Sequence, residues 1–593
     1  MSGGIQDKII MIKFRSKLSL GLAIIASFLI VNTSTAGDTR PFEQFYDPFP
    51  GSLSDLGWLH VSWDDSKIEG IDTSFFLGLN QDQTSEEFKI SSFNFCTSVL
   101  EIPCKNSDSN LYNAVLQVCT SSTEFNCIQS LSARIGEGEW IEGIQSEKSG
   151  YGSLRFFAGD SSQGIPNGQG ASLWHFKGIS HSGGNDFYLR TELQKSTYGN
   201  GIPRLFAQIT PTTKRAGRFF SGNIAAGIRK PNQNAIDFSD YCSWSEGCDD
   251  GNRCFAIFSK SECLDAWPHP RGVSYKLILR LNSKFSSFMQ GRVENAVVSV
   301  EDKGDFQTFT IEAEPMSVPV LQGWVKDNAL NPEIYEHLNN FYQKYGVVGK
   351  SFTEFSISNG QWTRANMERK PVFYDEYYFD EYNMWLKEFQ NKTSGRKSIW
   401  QLRSLESSEM SKASECISRG KGFTGLVSSN AGAYIASPPT FNSATESLDY
   451  KVASAHYDEN GNEFIGNYRF VIRQDVARCI YGFSSGPIKA TVSVTSANGE
   501  NQTSSTSTLE KDGWLYFNAS GFTFSSPTIK VKLSQDAPAK VTNQSEAIAS
   551  TPIQTAIVEK SKIVSKTITC IKGKNIKKVS GANPKCPVGY KTK

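Results

Sequence analysis

The sequence predicts a mainly β, multidomain protein with β-sandwich-like modules, a partly helical middle insert and a small disulfide-stapled C-terminal hairpin. Short alternating apolar runs bounded by turn-forming residues predict the strands, as in residues 112–119, 185–193 and 273–281. The 593 residues exceed what one hydrophobic core usually supports, which predicts several domains. With 38% hydrophobic residues and a mean hydropathy of −0.36, the composition is typical of a chain that forms packed cores.

Residues 1–36 have the pattern of a secretory signal peptide. Four basic residues between Lys8 and Lys17 precede the largely apolar run 18–31, and small residues lead to Ala36. This order predicts cleavage after Ala36, a secreted or cell-surface location, and no membrane span in the mature chain. The alternative is an uncleaved membrane anchor, although the apolar run is shorter than the roughly 20 residues that a spanning helix needs. Either Met1 or Met11 could be the first residue.

All twelve cysteines follow residue 36, and an even number in an exported chain predicts disulfide bonds. Zinc is the alternative for the four cysteines between residues 242 and 263. Their spacing contains no CxxC step, which structural zinc sites usually have, so we expect no metal and no cofactor. The disulfide candidates are Cys96, Cys104, Cys119, Cys127, Cys242, Cys248, Cys254, Cys263, Cys416, Cys479, Cys570 and Cys586.

The residue pattern changes twice before residue 401. Residues 37–319 are predicted to form a β-rich region of one domain, or of two divided near residue 150. Residues 320–400 are predicted to form a mixed, partly helical insert. The tripeptide Asn-Pro-Glu at 331–333 is typical of a helix start, and the glycine at 346 is typical of a helix end.

Residues 401–533 return to the strand pattern and predict a β-sandwich-like domain. Asn-Gly pairs at 460–461 and 498–499 lie between alternating runs, and Asn-Gly favours hairpin turns because both residues tolerate positive φ. We expect that Cys416 and Cys479 could join the first strand of this domain to an inner one.

The end of the chain differs from the body in charge. Residues 534–559 are polar, small and interrupted by prolines, which predicts a flexible linker. Residues 560–593 hold ten lysines and no acidic residue, whereas residues 37–559 hold 47 basic and 59 acidic residues, a net charge of −12. Cys570 and Cys586 enclose a strand-turn-strand pattern, and a disulfide between them would stabilise so small a hairpin by ~3 kcal/mol.

No short motif identifies a reaction. Residues 482–486 match GxSxG, but the alternating run after them favours a turn, since a nucleophile elbow needs a helix there. His175 and His181 could ligate a metal from neighbouring strand ends, or could be ordinary surface histidines. Residues 458–463 resemble part of a calcium loop, which a hairpin tip explains better. Nucleotide-binding motifs are absent from the sequence, and we expect no nucleic-acid partner.

Residues 373–389 are the predicted place for a ligand, because they combine eight aromatic residues with several carboxylates. Aromatic rings offer flat faces for sugars, and paired carboxylates could act as acid and base or bind Ca²⁺. The alternative is a helix whose aromatic residues form a buried stripe while most acids face water. The candidate ligand-binding residues are Tyr374, Asp375, Glu376, Tyr378, Asp380, Glu381 and Trp385.

The last residues resemble a C-terminal motif of many secreted actinobacterial proteins, in which TC, a GKxxKKV core, PKCP and GYK recur. Residues 477–494 and 512–533 resemble the domain that accompanies this motif in an uncharacterised family of large exported β-rich proteins. The resemblance covers the C-terminal part of the chain well and the rest loosely. It implies export and surface residence, and it implies no catalytic residues.

Together these observations favour an exported, non-enzymatic protein with a binding, adhesion or envelope-structural role. Its basic tail would be attracted to an anionic cell-wall polymer or glycan, with strong salt dependence. The alternative for the tail is a solvated end without a partner, and the alternative for the whole chain is a secreted polysaccharide-active hydrolase that uses residues 373–389. The tail residues expected to bind the envelope are Lys572, Lys574, Lys577, Lys578 and Lys585.

Overall fold

The chain divides into two compact units, Met1–Asp536 and Ala537–Lys593. The computed structural model describes residues 58–65, 73–81, 90–150, 153–195, 203–216, 255–259, 261–285, 287–345, 357–358, 361–362, 365–369, 372–373, 376–484, 488–495, 501–502, 504–524, 528–535, 566–572, 575–581, 586 and 590–592.

Strands dominate the described residues, as the sequence predicts. Up to residue 216 the strands and the one helix are β1 (Trp58–Trp63), β2 (Phe75–Gln81), β3 (Ile90–Phe95), α1 (Ile102–Lys105), β4 (Ser109–Val115), β5 (Cys127–Ile135), β6 (Ile141–Glu142), β7 (Ile144–Lys148), β8 (Ser172–His175), β9 (Asp186–Lys195) and β10 (Arg204–Ala216). From there to residue 404 they are β11 (Ala256–Ile257), β12 (Glu262–Ala266), β13 (Val273–Asn282), β14 (Ser287–Asp302), β15 (Phe306–Lys326), α2 (Pro332–Tyr345), β16 (Ile357–Ser358), β17 (Gln361–Trp362), β18 (Ala365–Arg369), β19 (Val372–Phe373), α3 (Glu376–Glu388) and β20 (Gly395–Ser404). The remaining elements are α4 (Glu415–Ser418), β21 (Phe423–Ser429), β22 (Ala433–Ile435), β23 (Thr440–Asn442), β24 (Ser447–Ala453), β25 (Ile465–Arg473), α5 (Gln474–Tyr481), β26 (Ile488–Thr495), β27 (Asn501–Gln502), β28 (Ser505–Lys511), β29 (Trp514–Thr523), β30 (Thr528–Gln535), β31 (Lys566–Lys572), β32 (Asn575–Gly581) and β33 (Lys591–Thr592).

One continuous series of paired strands runs through the first unit in the order β3, β2, β4, β9, β10, β20, β14, β21, β25, β29 and β28. Every neighbouring pair is antiparallel except β14 and β21, which are parallel. The series therefore crosses residues 319 and 400, where the sequence analysis places domain limits. It brings strands distant in sequence into direct contact.

Strand β14 takes part in two sheets. Its first part, Ser287–Arg292, pairs with β20 and β21, and its second part pairs with β15 from Val293 onward. The register shifts between Glu294 and Val297, and Asn295 has a φ of 51°. Such a β-bulge bends a strand and increases its twist, which lets one strand pass from one sheet to another.

A sandwich-like arrangement of two sheets is present, as predicted, and it extends beyond residues 401–533, since β19 belongs to the second sheet. A second sheet with the order β19, β22, β24, β30, β26 and β27 packs against strands β21, β25 and β29 of the long series. Full burial of one aliphatic or aromatic side chain stabilises a fold by about 1.5–3 kcal/mol, so this core holds the two sheets together. Its buried members include Val427, Val452, Tyr468, Phe470, Val492, Phe517 and Ile529.

The two Asn-Gly turns have different outcomes. Gly461 lies in a turn with a φ of 84°, and Asp458 Oδ1 accepts hydrogen bonds from the backbone of Asn460 and Asn462. The predicted hairpin is confirmed at this tip, where Tyr457 and Glu463 form an antiparallel bridge. Beyond the tip the strands separate, because β24 pairs in the second sheet and β25 pairs in the first. The second turn, at residues 496–500, lies outside the described residues, and the strands on either side of it, β26 and β27, pair in antiparallel register.

The helical insert is also confirmed. Helix α2 starts at Pro332, and the Asn331 side chain accepts a hydrogen bond from Glu333 N, as expected of an N-cap. Helices α2 and α3 pack with β1 and the end of β15 in a core of their own. The buried members of this core include Leu59, Val61, Trp63, Leu321, Ile334, Leu338, Phe379, Tyr382 and Trp385.

Disulfide bonds are present, as predicted. Cys96 bonds to Cys104, Cys119 to Cys127 and Cys416 to Cys479, and none of the cysteines in the described part of the chain is free. The third pair joins α4 to α5, so the expectation that it links two strands is wrong. Cys263 and Cys586 are disulfide-bonded as well. Cys242, Cys248 and Cys254 lie outside the described residues.

The second unit contains a small antiparallel sheet. Strands β31 and β32 form the predicted hairpin, and β33 adds to the other edge of β31. The predicted signal peptide and most of the predicted linker lie outside the described residues, and so do Lys574 and Lys585 of the tail. In the ranges given above, no helix has the length and apolar character needed to cross a membrane.

Candidate functional site

The predicted ligand residues lie on or just before α3. Tyr374 and Asp375 are outside the described residues, and Glu376 is the first residue of the helix. Asp380 is exposed and Tyr378 is half-buried. A ligand arriving from solvent would therefore meet Asp380 and one side of Tyr378.

The other predicted residues point into the protein. Trp385 is 0% and Glu381 is 1% exposed. The ring of Trp63 lies 5.4 Å from Tyr382 in a T-shaped contact and 6.2 Å from Trp385, measured between centroids. These aromatic faces pack against one another, as the alternative interpretation of a buried stripe predicts, and Trp385 has no face open to a sugar.

A second group of functional side chains lies where β14 and β20 run side by side. These strands have one apolar face, which includes Trp400 and Leu402, and one buried polar face. In register, Gln290 pairs with Arg403, and Arg292 pairs with Gln401. Period-two alternation puts the polar residues on one side of the sheet. We call them the buried polar face: Gln290, Arg292, Lys397, Gln401 and Arg403.

Two acids that follow β1 supply counter-charges to this face. Asp65 Oδ2 lies 2.7 Å from Arg292 Nη2, with side chains 2% and 1% exposed. Asp64 Oδ2 lies 2.6 Å from Lys397 Nζ, with side chains 11% and 10% exposed. Arg292 also donates to the carbonyl of Ser429. Buried charges need such partners because the isolated ions would be very costly to desolvate.

The other end of the buried polar face is equally well paired. Arg403 donates two hydrogen bonds to the carboxylate of Glu409, at 3.0 and 2.9 Å, and one to Gln290 Oε1 at 2.5 Å. Gln290 Nε2 in turn donates to the hydroxyl of Tyr450 and to the carbonyl of Ile435. Bidentate arginine pairs of this kind fix geometry as well as charge.

Electrostatics at the Asp65–Arg292 pair reflect its burial. Burial raises the pKa of Asp65, and the Arg292 guanidinium opposes that rise. Burial acts to lower the pKa of Arg292, but Asp65 and Tyr434 outweigh it, so the guanidinium stays charged. The Tyr434 ring centroid lies 4.3 Å from Arg292 Cζ.

Two histidines, the half-buried His181 and the buried His269, form a separate group. His181 Nε2 hydrogen-bonds to the Asp186 carbonyl and Nδ1 accepts from Gly183 N, while His269 Nδ1 lies 2.9 Å from the Tyr275 hydroxyl. Burial lowers the pKa of His181 to about 4, and burial with the nearby His181 lowers the pKa of His269 to about 3. Both are neutral at pH 7.

His175, the other histidine considered as a metal ligand, is exposed and contacts Asp186 at 2.5 Å. It therefore forms a surface pair with a carboxylate. Across the described ranges, no group of three or more His, Cys, Asp or Glu side chains is arranged to hold a metal ion.

A carboxylate pair lies at the β-bulge of β14. Glu294 is directly opposite Glu314 on β15, and Asn295 Nδ2 donates to Glu314 Oε1 at 3.1 Å. Burial, together with the charge of Glu314, raises the pKa of Glu294 to about 7. Arg469 is electrostatically coupled to Glu314. A carboxyl group that titrates near neutral pH is a typical general acid or base.

The GxSxG segment does not form a nucleophile elbow. Helix α5 comes before it and strand β26 after it, which is the reverse of the required strand-to-helix order. Ser484 Oγ donates to Gln535 Oε1 at 2.9 Å. The prediction of a turn is confirmed.

The tail lysines have partly defined positions. Lys572 is the last residue of β31, and Lys577 and Lys578 follow one another in β32.

Sequence reasoning did not single out the buried polar face. One signal was available: Gln290 and Arg292 occupy alternate positions of a strand whose other positions, Met289 and Val293, are apolar. Two successive polar residues on one face usually indicate a solvent-facing side. Only the long-range contact with Asp65 shows that this side is interior.

No protein-family model matches the chain, and comparisons with curated proteins and with solved structures give no match either.

Proposed function

We propose that this chain is an exported, non-enzymatic protein of the cell surface or medium that acts in binding, adhesion or envelope structure. The observation that carries the proposal is the separation of charge between the two compact units. The ten lysines from residue 560 on lie in the second unit, whereas residues 37–536 of the first unit carry a net charge of −11. A cationic module of this kind favours contact with an anionic polymer while the acidic body is repelled from it.

The disulfides support the exported location, since such bonds persist in oxidising compartments. Packing of the α3 aromatic residues supports a non-enzymatic role over a hydrolase that would use residues 373–389. Tyr382 and Trp385 contribute to the core.

Retention by the tail can be tested on the full chain. We expect isolated cell walls, or beads coated with an anionic phosphate polymer, to bind the protein with an affinity that falls steeply as NaCl rises. Replacing the five tail lysines with glutamine should abolish most of this binding. The substituted residues are Lys572, Lys574, Lys577, Lys578 and Lys585.

A matched control removes the same charge from the body. Five exposed lysines there, changed to glutamine together, should leave the binding and its salt dependence unchanged. Equal loss in both variants, or binding indifferent to salt, would contradict retention by the tail. The control residues are Lys105, Lys284, Lys421, Lys489 and Lys511.

A polysaccharide hydrolase is the second candidate, and the Glu294–Glu314 pair is the observation that favours it. Retaining and inverting glycosidases both use two carboxyl groups, one of them with a raised pKa. A glycan panel with detection of released sugar tests this. Sugar release that disappears in Glu294→Gln and persists in Asp380→Asn would support the hydrolase, and binding without release would exclude it for those glycans.

A further inference from the structure

The contact between Asp64 and Lys397 joins distant parts of the first unit. Asp64 directly follows β1 and Lys397 lies in β20, and both strands pair with β15 from opposite sides. The two residues are 333 positions apart in sequence, and their oxygen and nitrogen atoms are 2.6 Å apart. Both residues are 8% exposed.

We propose that Lys397 Nζ and Asp64 Cγ form an intramolecular isopeptide bond. Within the hydrogen-bonded pair, transfer of one proton from the ammonium to the carboxylate gives a neutral amine and a neutral carboxylic acid. The amine attacks Cγ, a C–N bond forms, and the C–OH bond of the acid breaks. The amine loses a proton to the departing hydroxyl, so the products are one amide and one water, and no oxidant or reductant is needed.

Burial favours this reaction in two ways. Exclusion of water from the buried pair favours the loss of water on condensation and protects the amide from hydrolysis. The fold also holds the two groups at contact distance, which converts a slow bimolecular condensation into an intramolecular one with a high effective concentration. The same contact on the surface would remain a hydrated ion pair.

Asp65 adds a second carboxyl group beside the pair. Its side chain is 2% exposed, Oδ2 contacts Arg292 Nη2, and among the described residues Oδ1 has no hydrogen-bond partner. Its carboxyl group is electrostatically coupled to both Asp64 and Lys397. We assign Asp65 as a positioning residue that can accept and return the proton exchanged during the reaction.

The bond would supply a connection that the described disulfides do not make. The pairs with both partners described span 8, 8 and 63 residues. An amide between Asp64 and Lys397 would close a loop of most of the first unit and link its first described strand to β20. Such a bond would resist reduction, unlike a disulfide.

The mass of the reduced, denatured full chain decides the proposal. We expect it to be lower by one water than the mass calculated from the observed N-terminus. Proteolysis should then yield a branched peptide that joins the segment containing Asp64 to the segment containing Lys397. A full calculated mass, with both segments recovered as separate linear peptides, would overturn the proposal.

An internal control is present in the same digest. Lys276 Nζ and Glu312 Oε1 are 2.7 Å apart, but their side chains are 22% and 32% exposed. We expect these two peptides to be recovered unlinked. A loss of water at both pairs would show an artefact of sample handling and would overturn the assignment to the buried pair.

Three variants test amide formation separately from folding. Lys397→Arg keeps the positive charge but should show no loss of water and should unfold at a lower temperature. Asp64→Asn should form the same amide by releasing ammonia, so its final mass equals that of the wild type. Asp65→Asn should leave part of the chain unlinked, and complete linkage in that variant would refute the assigned role of Asp65. The wild-type mass alone decides whether the amide forms. The proposal can therefore be refuted even if a variant fails to fold.

Discussion

The buried polar face and the histidine pair place ionisable groups in the same interior but keep them in different states. Asp65 and Arg292 face each other as opposite charges. His181 and His269 are bonded to neutral partners, a backbone carbonyl and the Tyr275 hydroxyl, and remain uncharged. Burial therefore outweighs the attraction of Asp186 at His181 and leaves both imidazoles neutral, whereas Arg292 keeps its charge beside Asp65. The two regions should respond in different ways to mutation and to pH.

Removing one member of a buried charge pair should have the largest effect. Arg292→Met leaves Asp65 buried without its counter-charge, so we expect a loss of about 3–5 kcal/mol in the free energy of unfolding. Urea unfolding at pH 7 measures it. The double variant Arg292→Met with Asp65→Asn should recover part of the loss, because it removes the unpaired charge as well. A single-variant loss below about 1 kcal/mol would contradict the view that the pair is needed to bury Asp65.

Local patterns made some parts of this structure predictable. The cap at Asn331 and the buried stripe of α3 depend on residues a few positions apart, so the sequence contains most of the information. The Asn-Gly turn at Gly461 was also recognised. The hairpin around it extends only to the bridge between Tyr457 and Glu463, because the turn does not determine whether the following strand returns to the same sheet or crosses to the other one.

Long-range pairing made the candidate site unpredictable. Asp64 and Lys397 meet only because β15 lies between their strands, and nothing near either residue in sequence specifies that neighbour. The bulge at Asn295, which divides β14 between two sheets, has no distinctive local motif either. Position on a strand can be predicted from alternation, whereas the identity of the facing strand depends on the whole topology.

Acidification should destabilise the histidine pair. The folded-state pKa values of His181 and His269, about 4 and about 3, lie below the ordinary histidine value. The stability they contribute is therefore complete above pH ~6.5 and is lost as pH falls from there toward the folded-state values. We expect a loss of about 2 kcal/mol for each histidine, and so about 4 kcal/mol for the pair, between pH 6.5 and 4.5.

Unfolding free energies of the wild type and of His269→Gln, measured across this range, isolate the effect. Carboxylates titrate equally in both proteins, so the difference between the two curves reports the histidine. We expect the variant to have the shallower dependence. Parallel curves would show that His269 is not held neutral by the fold.

The stability contributed by Glu294 should change with pH in the opposite direction. Its folded-state pKa of about 7 lies above the ordinary value for glutamate, so its contribution to stability is lost as pH rises from about 4.5 through 7. Glu294→Gln removes the charge that forms in this window, and we expect it to stabilise the fold by about 1 kcal/mol at pH 8 and to have little effect at pH 5. Thermal unfolding at the two pH values tests this. A variant that is less stable at pH 8 would indicate that the ionised carboxylate makes a favourable contact with Arg469.

Mutation of an exposed ion pair should change the free energy of unfolding least. Lys532 Nζ lies 3.1 Å from Glu446 Oε2, but the side chains are 49% and 69% exposed. Water screens both charges and competes for both groups, so Lys532→Gln should change the free energy of unfolding by less than about 0.5 kcal/mol. The measurement is urea unfolding at low and at high salt, with Arg292→Met alongside. The contact distance is similar in the exposed and the buried pair. If Lys532→Gln lowered the free energy of unfolding as much as Arg292→Met does, burial would not explain the difference expected between the two pairs.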